Sequence, residues 1–337
     1  MAARVARPII AVVGPTGSGK SSLALHIAER FQGEIVNCDS VQIYRHFDIG
    51  SARTPLAERR GIPHHLMDVL NPDEVFTAGD YLRMGRAALN EIAERGKLPV
   101  ISGGTGFYLR ALFEGLAEGP ARDEDLRTRF AKREAKRPGS LHRLLRRFDP
   151  TTAARIHAND VPKVTRALEI CLTARKPATE VFAAGKQPLE GFRVLLLGLF
   201  PNRDALYQRL EQRLEVMFES GLVEETAGIL ARGYTETAKP FESIGYKQAL
   251  QMLKGELNKT EALYYARRDT RNYAKRQMTW FRRENGLQFI SAFGDDPATA
   301  ESVEQKVRDF LAAGSDSWLR HRDVSSIEND SDLRSQT

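Results

Sequence analysis

The stretch GPTGSGKSS at residues 14–22 leaves this chain few ways to begin folding. It follows the apolar run IIAVV and precedes LALHIAERF, in which Leu23, Ile27 and Phe31 recur at helical spacing. A buried strand, a glycine-rich turn and an amphipathic helix, in that order, open a parallel α/β unit. Gly14, Gly19, Lys20 and Ser21 satisfy G-x-x-x-x-G-K-[ST]. In such a turn backbone amides at the helix start face an anion, Lys20 supplies a point charge and the Ser21 hydroxyl can ligate Mg²⁺. A phosphate or diphosphate held by Gly14, Pro15, Thr16, Gly17, Ser18, Gly19, Lys20 and Ser21 is therefore expected.

Further strands read as EIVNCD, LPVIS (Leu98 to Ser102) and RVLLLGLF (Arg193 to Phe200), separated by helical patterns. This alternation predicts a P-loop NTPase-like, doubly wound parallel sheet with ligands at the carboxyl ends of its strands. Between about Gly119 and Gly191 the alternation stops. There ARDEDLRTRFAKREAKRPGSLHRLLRRFD is helical in propensity, and from Arg122 to Asp149 it carries ten Lys or Arg against five Asp or Glu. A helical insertion domain over 119–191 is expected, flanked by core segments 1–118 and 192–313. The Ser/Asp-rich stretch 314–337 reads as a disordered tail.

Several classes drop out on composition. No apolar run approaches the ~20 residues a bilayer span needs, and MAARVARP lacks the apolar core of a secretory signal. Cys38 and Cys171 are the only two cysteines and lie far apart, which supports neither a disulfide framework nor a zinc site. A cytoplasmic monomer with no membrane contact is the simplest expectation. The net charge of +6 leaves room for a polyanionic partner.

A nucleoside triphosphatase normally ends a further strand on an Asp that holds Mg²⁺, but LPVIS runs into GGTGFYLRAL, with no acid there. The acid appears instead at the end of the second strand, as Asp39. It can cap a helix over VQIYRHF, or it can stand at an acceptor and take a proton as a bond forms.

GPTGSGKS, VNCDSVQIYRHFDIGSARTP, GIPHHLMDV, GGTGFYLRALFEGL, RALEI, GYKQAL and KRQMTWFRR occur in this order between about Ile9 and Arg283. Together they resemble the bacterial tRNA dimethylallyltransferases, also called tRNA isopentenyltransferases. The resemblance implies transfer of a dimethylallyl group from dimethylallyl diphosphate to the exocyclic amine of an adenosine beside the anticodon of tRNA. It implies that the glycine-rich loop holds the diphosphate and that Asp39 is the base. It places Asp39, Ser40, Val41 and Gln42, and Lys163, Val164, Thr165, Arg166 and Ala167, against tRNA. It sets Thr105 and Arg127 beside the tRNA route. Asp39, Lys20 and Thr105 are thus the expected catalytic set. Two departures stand out: Ser21 occupies a position where Thr is frequent, and GSARTP replaces the common GTAKP, shifting the proline by one.

The chemistry agrees with this reading. An adenine amine is a poor nucleophile, so a base that accepts its proton during bond formation helps by ~10²–10⁴-fold. The departing diphosphate needs positive charge, available from Lys20, the loop amides, Mg²⁺ on Ser21, and Arg213. From Ala262 to Arg283 seven Lys or Arg stand against Asp269 alone. On a helical wheel Arg267, Arg268, Arg271, Lys275, Arg276, Arg282 and Arg283 share one half, suited to RNA phosphates. Gln277 falls in the apolar stripe opposite. It either satisfies backbone there or reaches the active site and the tRNA. His64 and His65 read as a loop pair without further ligands. Three rivals remain: a P-loop kinase, an adenylate isopentenyltransferase acting on free AMP or ATP, and a non-catalytic RNA-binding module.

Overall fold

The computed structural model describes residues 6–183 and 185–313; the expected tail lies outside them. From the N terminus come β1 (Arg7–Val13), α1 (Lys20–Arg30), β2 (Gly33–Asn37), β3 (His64–His65), α2 (Ala78–Glu94), β4 (Leu98–Gly103) and α3 (Gly106–Glu114). Five helices follow: α4 (Glu124–Lys136), α5 (Ser140–Phe148), α6 (Pro150–Arg155), α7 (Val161–Ala174) and α8 (Ala178–Ala183). The remaining elements are β5 (Phe192–Leu199), α9 (Arg203–Glu219), α10 (Leu222–Ala231), α11 (Tyr246–Leu253), α12 (Lys259–Phe281), β6 (Leu287–Ile290) and α13 (Pro297–Ala312). Among the described residues the chain divides into two compact units, one of residues 6–112 and 190–313 and one within Phe113–Leu189.

All strands of the first unit run parallel in a six-stranded sheet of order β3-β2-β4-β1-β5-β6. Alternation along β1 explains how the sheet is covered. Ile10 and Val12 pack with Leu23, Ala24 and Ile27 of α1 and with Val303 and Val307 of α13. Ile9, Ala11 and Val13 are equally buried and point to the opposite face. Each such Val or Ile contributes ~1.5–3 kcal/mol through burial. With β1 in the middle, the loops after β1, β2 and β4 emerge side by side at one edge of the sheet. No helix among the described residues is long and apolar enough to cross a membrane.

Two expectations change. No helix forms over VQIYRHF: the backbone there is a succession of turns. Asp39 does cap it, since Oδ1 accepts from the amides of Val41 (2.8 Å) and Gln42 (3.2 Å). The His64–His65 pair is not loop but a short strand beside β2. His65 meets Glu34 at 2.6 Å.

The second unit is helical, with a core of Phe130, Leu141, Leu145, Ala153, Val164, Leu168 and Ile170. Asp149 caps α6 through the Thr152 amide at 2.9 Å and takes the Thr179 amide at 2.7 Å. Burial alone would raise this carboxyl; those donors overcome it and hold it at about 2. Glu169, fully enclosed, receives the Arg127 Nε and Nη2 at 2.8 Å each, the Asp123 amide at 2.8 Å and Arg166 at 2.5 Å.

Candidate active site

The loop after β1 turns into α1 through Gly19, whose φ of +84° suits glycine. A Cβ there would also stand 2.7 Å from Asp295 Oδ1. No side chain caps α1, so the amides of its first turn remain free to meet an anion. Thr16, Gly17, Gly19, Lys20 and Ser21 line a cleft above them. Gly14, Pro15 and Ser18 lie behind that lining. Ser18 is fully buried, and its Oγ has no hydrogen-bond partner among the described residues. The Pro15 carbonyl accepts from Lys20 Nζ at 2.7 Å.

Lys20 and Arg213 face the same cleft. Burial brings the Lys20 ammonium down to about 8; Asp39 pulls it upward and Arg213 adds to the lowering. Burial likewise brings Arg213 down to about 10, aided by Arg209 and opposed by Asp39. Arg213 Nη2 donates to Thr16 Oγ1 at 2.7 Å, while its buried Nε has no hydrogen-bond partner among the described residues. Two partly dehydrated cations on one cleft can attract an anion. Arg209, which composition did not flag, lines the cleft and is held by Asp295 at 2.8 Å.

Asp39 stands where this cleft meets a second pocket. Thr16, Asp39, Ser51 and Arg213 line both. The second pocket adds Ser40, Val41, Leu214, Met217, Ile244, Tyr273 and Arg276. With Oδ1 engaged as a cap, the other Asp39 oxygen has no hydrogen-bond partner among the described residues. Thr105 sits beside this acid without lining either pocket: its Oγ1 accepts from the Ser40 amide at 3.2 Å. Gln42 lines the first cleft and donates to the Ser51 carbonyl at 3.0 Å. The same wall is held from below, where Glu225 accepts from the Ile49 amide at 2.9 Å and the Gly50 amide donates to the Tyr246 hydroxyl at 3.0 Å.

Gln277 of α12 bridges two loops. It lines the cleft, and its carboxamide is spent on backbone: Nε2 donates to Gly104 O at 2.9 Å and Oε1 accepts from Thr16 N at 2.8 Å. The basic face of α12 is less available than its count suggests. Arg267 is paired with Glu215, Arg271 with Glu211 at 3.2 Å and Arg268 with Asp269 at 2.8 Å. Lys275, Arg276, Arg282 and Arg283 have no acidic partner among the described residues, and Arg276 lines the second pocket.

In the helical unit the expected RNA contacts are mostly engaged within the unit. Arg127 and Arg166 grip Glu169, and Lys163 meets Asp160 at 2.6 Å. Val164 and Ala167 point into the core, because α7 turns that face inward; Thr165 is half-buried. His64 lines the cleft, its Nδ1 2.8 Å from Ile62 O, and nothing in its sequence context signals this.

No group of three or more His, Cys, Asp or Glu converges among the described residues. Mg²⁺ fits such a site, since it retains waters and takes few protein ligands alongside substrate phosphates. Ser21, exposed and lining the cleft, offers a hydroxyl.

The chain is similar to known proteins. A family model described as IPP transferase matches residues 42–284. A tRNA dimethylallyltransferase of Solibacter usitatus is 61% identical over 304 residues, covering 90% of this chain and 99% of the relative. Its counterpart in Koribacter versatilis is 52% identical, covering 89% and 98%. The crystal structure of a tRNA isopentenylpyrophosphate transferase from Bacillus halodurans aligns with a TM-score of 0.66 at 34% identity, covering 91% and 96%. A eukaryotic dimethylallyltransferase solved acting on tRNA aligns with a TM-score of 0.79 at 28% identity, covering 92% and 80%.

Proposed function

Because the chain belongs to the IPP transferase family, the tRNA dimethylallyltransferases, we propose that its cleft alkylates tRNA. The group moved is dimethylallyl, from dimethylallyl diphosphate to N6 of the adenosine 3′ to the anticodon. The observation that carries this reading is Asp39 on the boundary between a cationic cleft and a second, partly apolar pocket.

The diphosphate rests on the first-turn amides of α1, with Lys20 and Arg213 beside it. Its allylic carbon reaches toward the boundary, where Leu214, Met217 and Ile244 line the next pocket. The adenine amine arrives there, and its nitrogen forms the new bond to that carbon. The free oxygen of Asp39 takes the amine proton, and the carbon–oxygen bond of the donor breaks with its electron pair leaving on diphosphate. Lys20, Arg213 and the loop amides stabilise the charge that grows on the leaving group. The Ser21 hydroxyl would hold Mg²⁺, which would add charge neutralisation on the diphosphate. Thr105 keeps the turn carrying Asp39 in place through the Ser40 amide.

The target base must leave its stack at a cost of a few kcal/mol, and phosphate contacts elsewhere on the RNA offset it. Lys275, Arg276, Arg282 and Arg283 supply such contacts, with the basic helical unit. The protein works as a cytoplasmic monomer on this reading.

Incubation with labelled dimethylallyl diphosphate and bulk tRNA tests the reaction, and label should enter the RNA. Label entering free AMP or ATP instead would favour the adenylate enzyme, and phosphoryl transfer from ATP would favour a kinase.

A further inference from the structure

We propose that Gln277 is a positioning residue that fixes the spacing between the diphosphate loop and the proton-accepting Asp39. This rests on the transfer reaction proposed above. Neighbouring strands β1 and β4 keep register only as far as Val13 opposite Gly103. Beyond that point the two chains become the glycine-rich loop and the segment through Thr105. One side chain replaces the missing ladder, for Gln277 accepts from Thr16 N on one loop and donates to Gly104 O on the other.

Each end of this bridge continues to a reacting group. Thr16 Oγ1 accepts from Arg213, which faces the diphosphate cleft. Gly104 precedes Thr105, whose hydroxyl holds the Ser40 amide next to Asp39. The fit is tight. A Cβ on Gly104 would come within 2.2 Å of Gln277 Nε2, and one on Gly103 within 2.1 Å of Cys38 O. A carboxamide carries a donor and an acceptor on one plane, which a bridge between an N–H and a C=O requires. At 6% exposure the group serves the interior of the cleft rather than an RNA surface.

The test uses Gln277→Met and Gln277→Glu in the full chain. Wild-type protein that labels tRNA establishes the reaction itself, so failure of that reading is seen separately. For Gln277→Met, kcat should fall about 10- to 100-fold, because a displacement near 1 Å between reacting groups costs that much. Affinities for tRNA and for a non-reacting thiodiphosphate analogue should stay within about threefold of wild type. Gln277→Glu keeps the acceptor for Thr16 and loses the donor to Gly104. Its kcat relative to wild type should recover as pH falls and the carboxyl regains a proton to donate. Weakened tRNA binding with kcat intact would overturn the proposal in favour of an RNA contact. Loss of turnover and of both affinities in step with the folded fraction would reduce Gln277 to a stabilising residue. Should the Met variant not fold, the pH-dependent recovery of Gln277→Glu decides alone.

Discussion

Arg127 forks onto Glu169, with Nε and Nη2 each 2.8 Å from a carboxylate oxygen and the glutamate wholly enclosed. Removing Arg127 leaves the enclosed Glu169 only Arg166 and the Asp123 amide, a loss below the ~3–5 kcal/mol of a wholly uncompensated buried charge. Arg127→Ala should therefore unfold the Phe113–Leu189 unit at lower denaturant, read by hydrogen exchange across its amides. Burial raises the Glu169 carboxyl, but Arg127, the Asp123 amide and Arg166 prevail and hold it at about 2. A carboxyl depressed in the folded state stabilises above its unfolded value and loses that contribution as pH falls toward about 2. The unit should open in this acid window, and Arg127→Ala should flatten the dependence. If Arg127→Ala instead weakened tRNA binding with stability intact, the arginine would be an RNA contact.

Asp39→Asn keeps an oxygen for the Val41 and Gln42 amides but cannot take a proton. Turnover should drop by ~10²–10⁴-fold with tRNA affinity nearly unchanged. A filter-binding titration run with the rate measurement separates the two effects. An equal loss of binding would make the cap the residue's whole role.

Lys20 sits near a titration point that burial has brought down to about 8. Below it the ammonium is charged and attracts diphosphate; above it the attraction is lost. The kcat/KM for dimethylallyl diphosphate should fall about tenfold per pH unit above that value. Lys20→Met should be slow throughout and lack this alkaline limb. A wild-type profile flat to pH values well above 8 would contradict the assignment.

Charges on α12 should divide by their partners. Replacing Arg282 and Arg283 with Gln should weaken tRNA binding and lower the slope of log K against log salt by about one for each phosphate left without its cation. Arg267→Gln breaks the pair with Glu215 and should leave that slope unchanged.

The loop at residues 14–22 was legible because its glycine spacing permits one backbone path between a strand and a helix. The sheet's interior strands were legible from continuous apolar runs. The edge strand β6 was not: Leu287–Ile290 is four residues long, with Gln288 and Phe289 exposed. It carries neither a long apolar run nor clean alternation. A helix over VQIYRHF was open as the segment Asp39 could cap; Ile43, Tyr44 and Phe47 are instead buried around a loop tied to Glu225 and Tyr246. The α12 charges looked uniformly available because their acidic partners, Glu211 and Glu215, lie more than fifty positions upstream. Gln277 stood out on the wheel as a polar residue in an apolar stripe, but which atoms it would satisfy depended on two distant loops meeting. Arg209 and His64 gave no local sign of facing the cleft, since only the sheet order brings them there.

Tyr246 and Glu225 belong to α11 and α10, yet they grip the backbone of Gly50 and Ile49, next to Ser51 on the cleft wall. Selection for heat resistance in that helical pair will thus register in the alkylation rate, since repacking either helix shifts the wall. Tyr246→Phe would cut only the Gly50 half of this link, because Glu225 still ties Ile49 to α10.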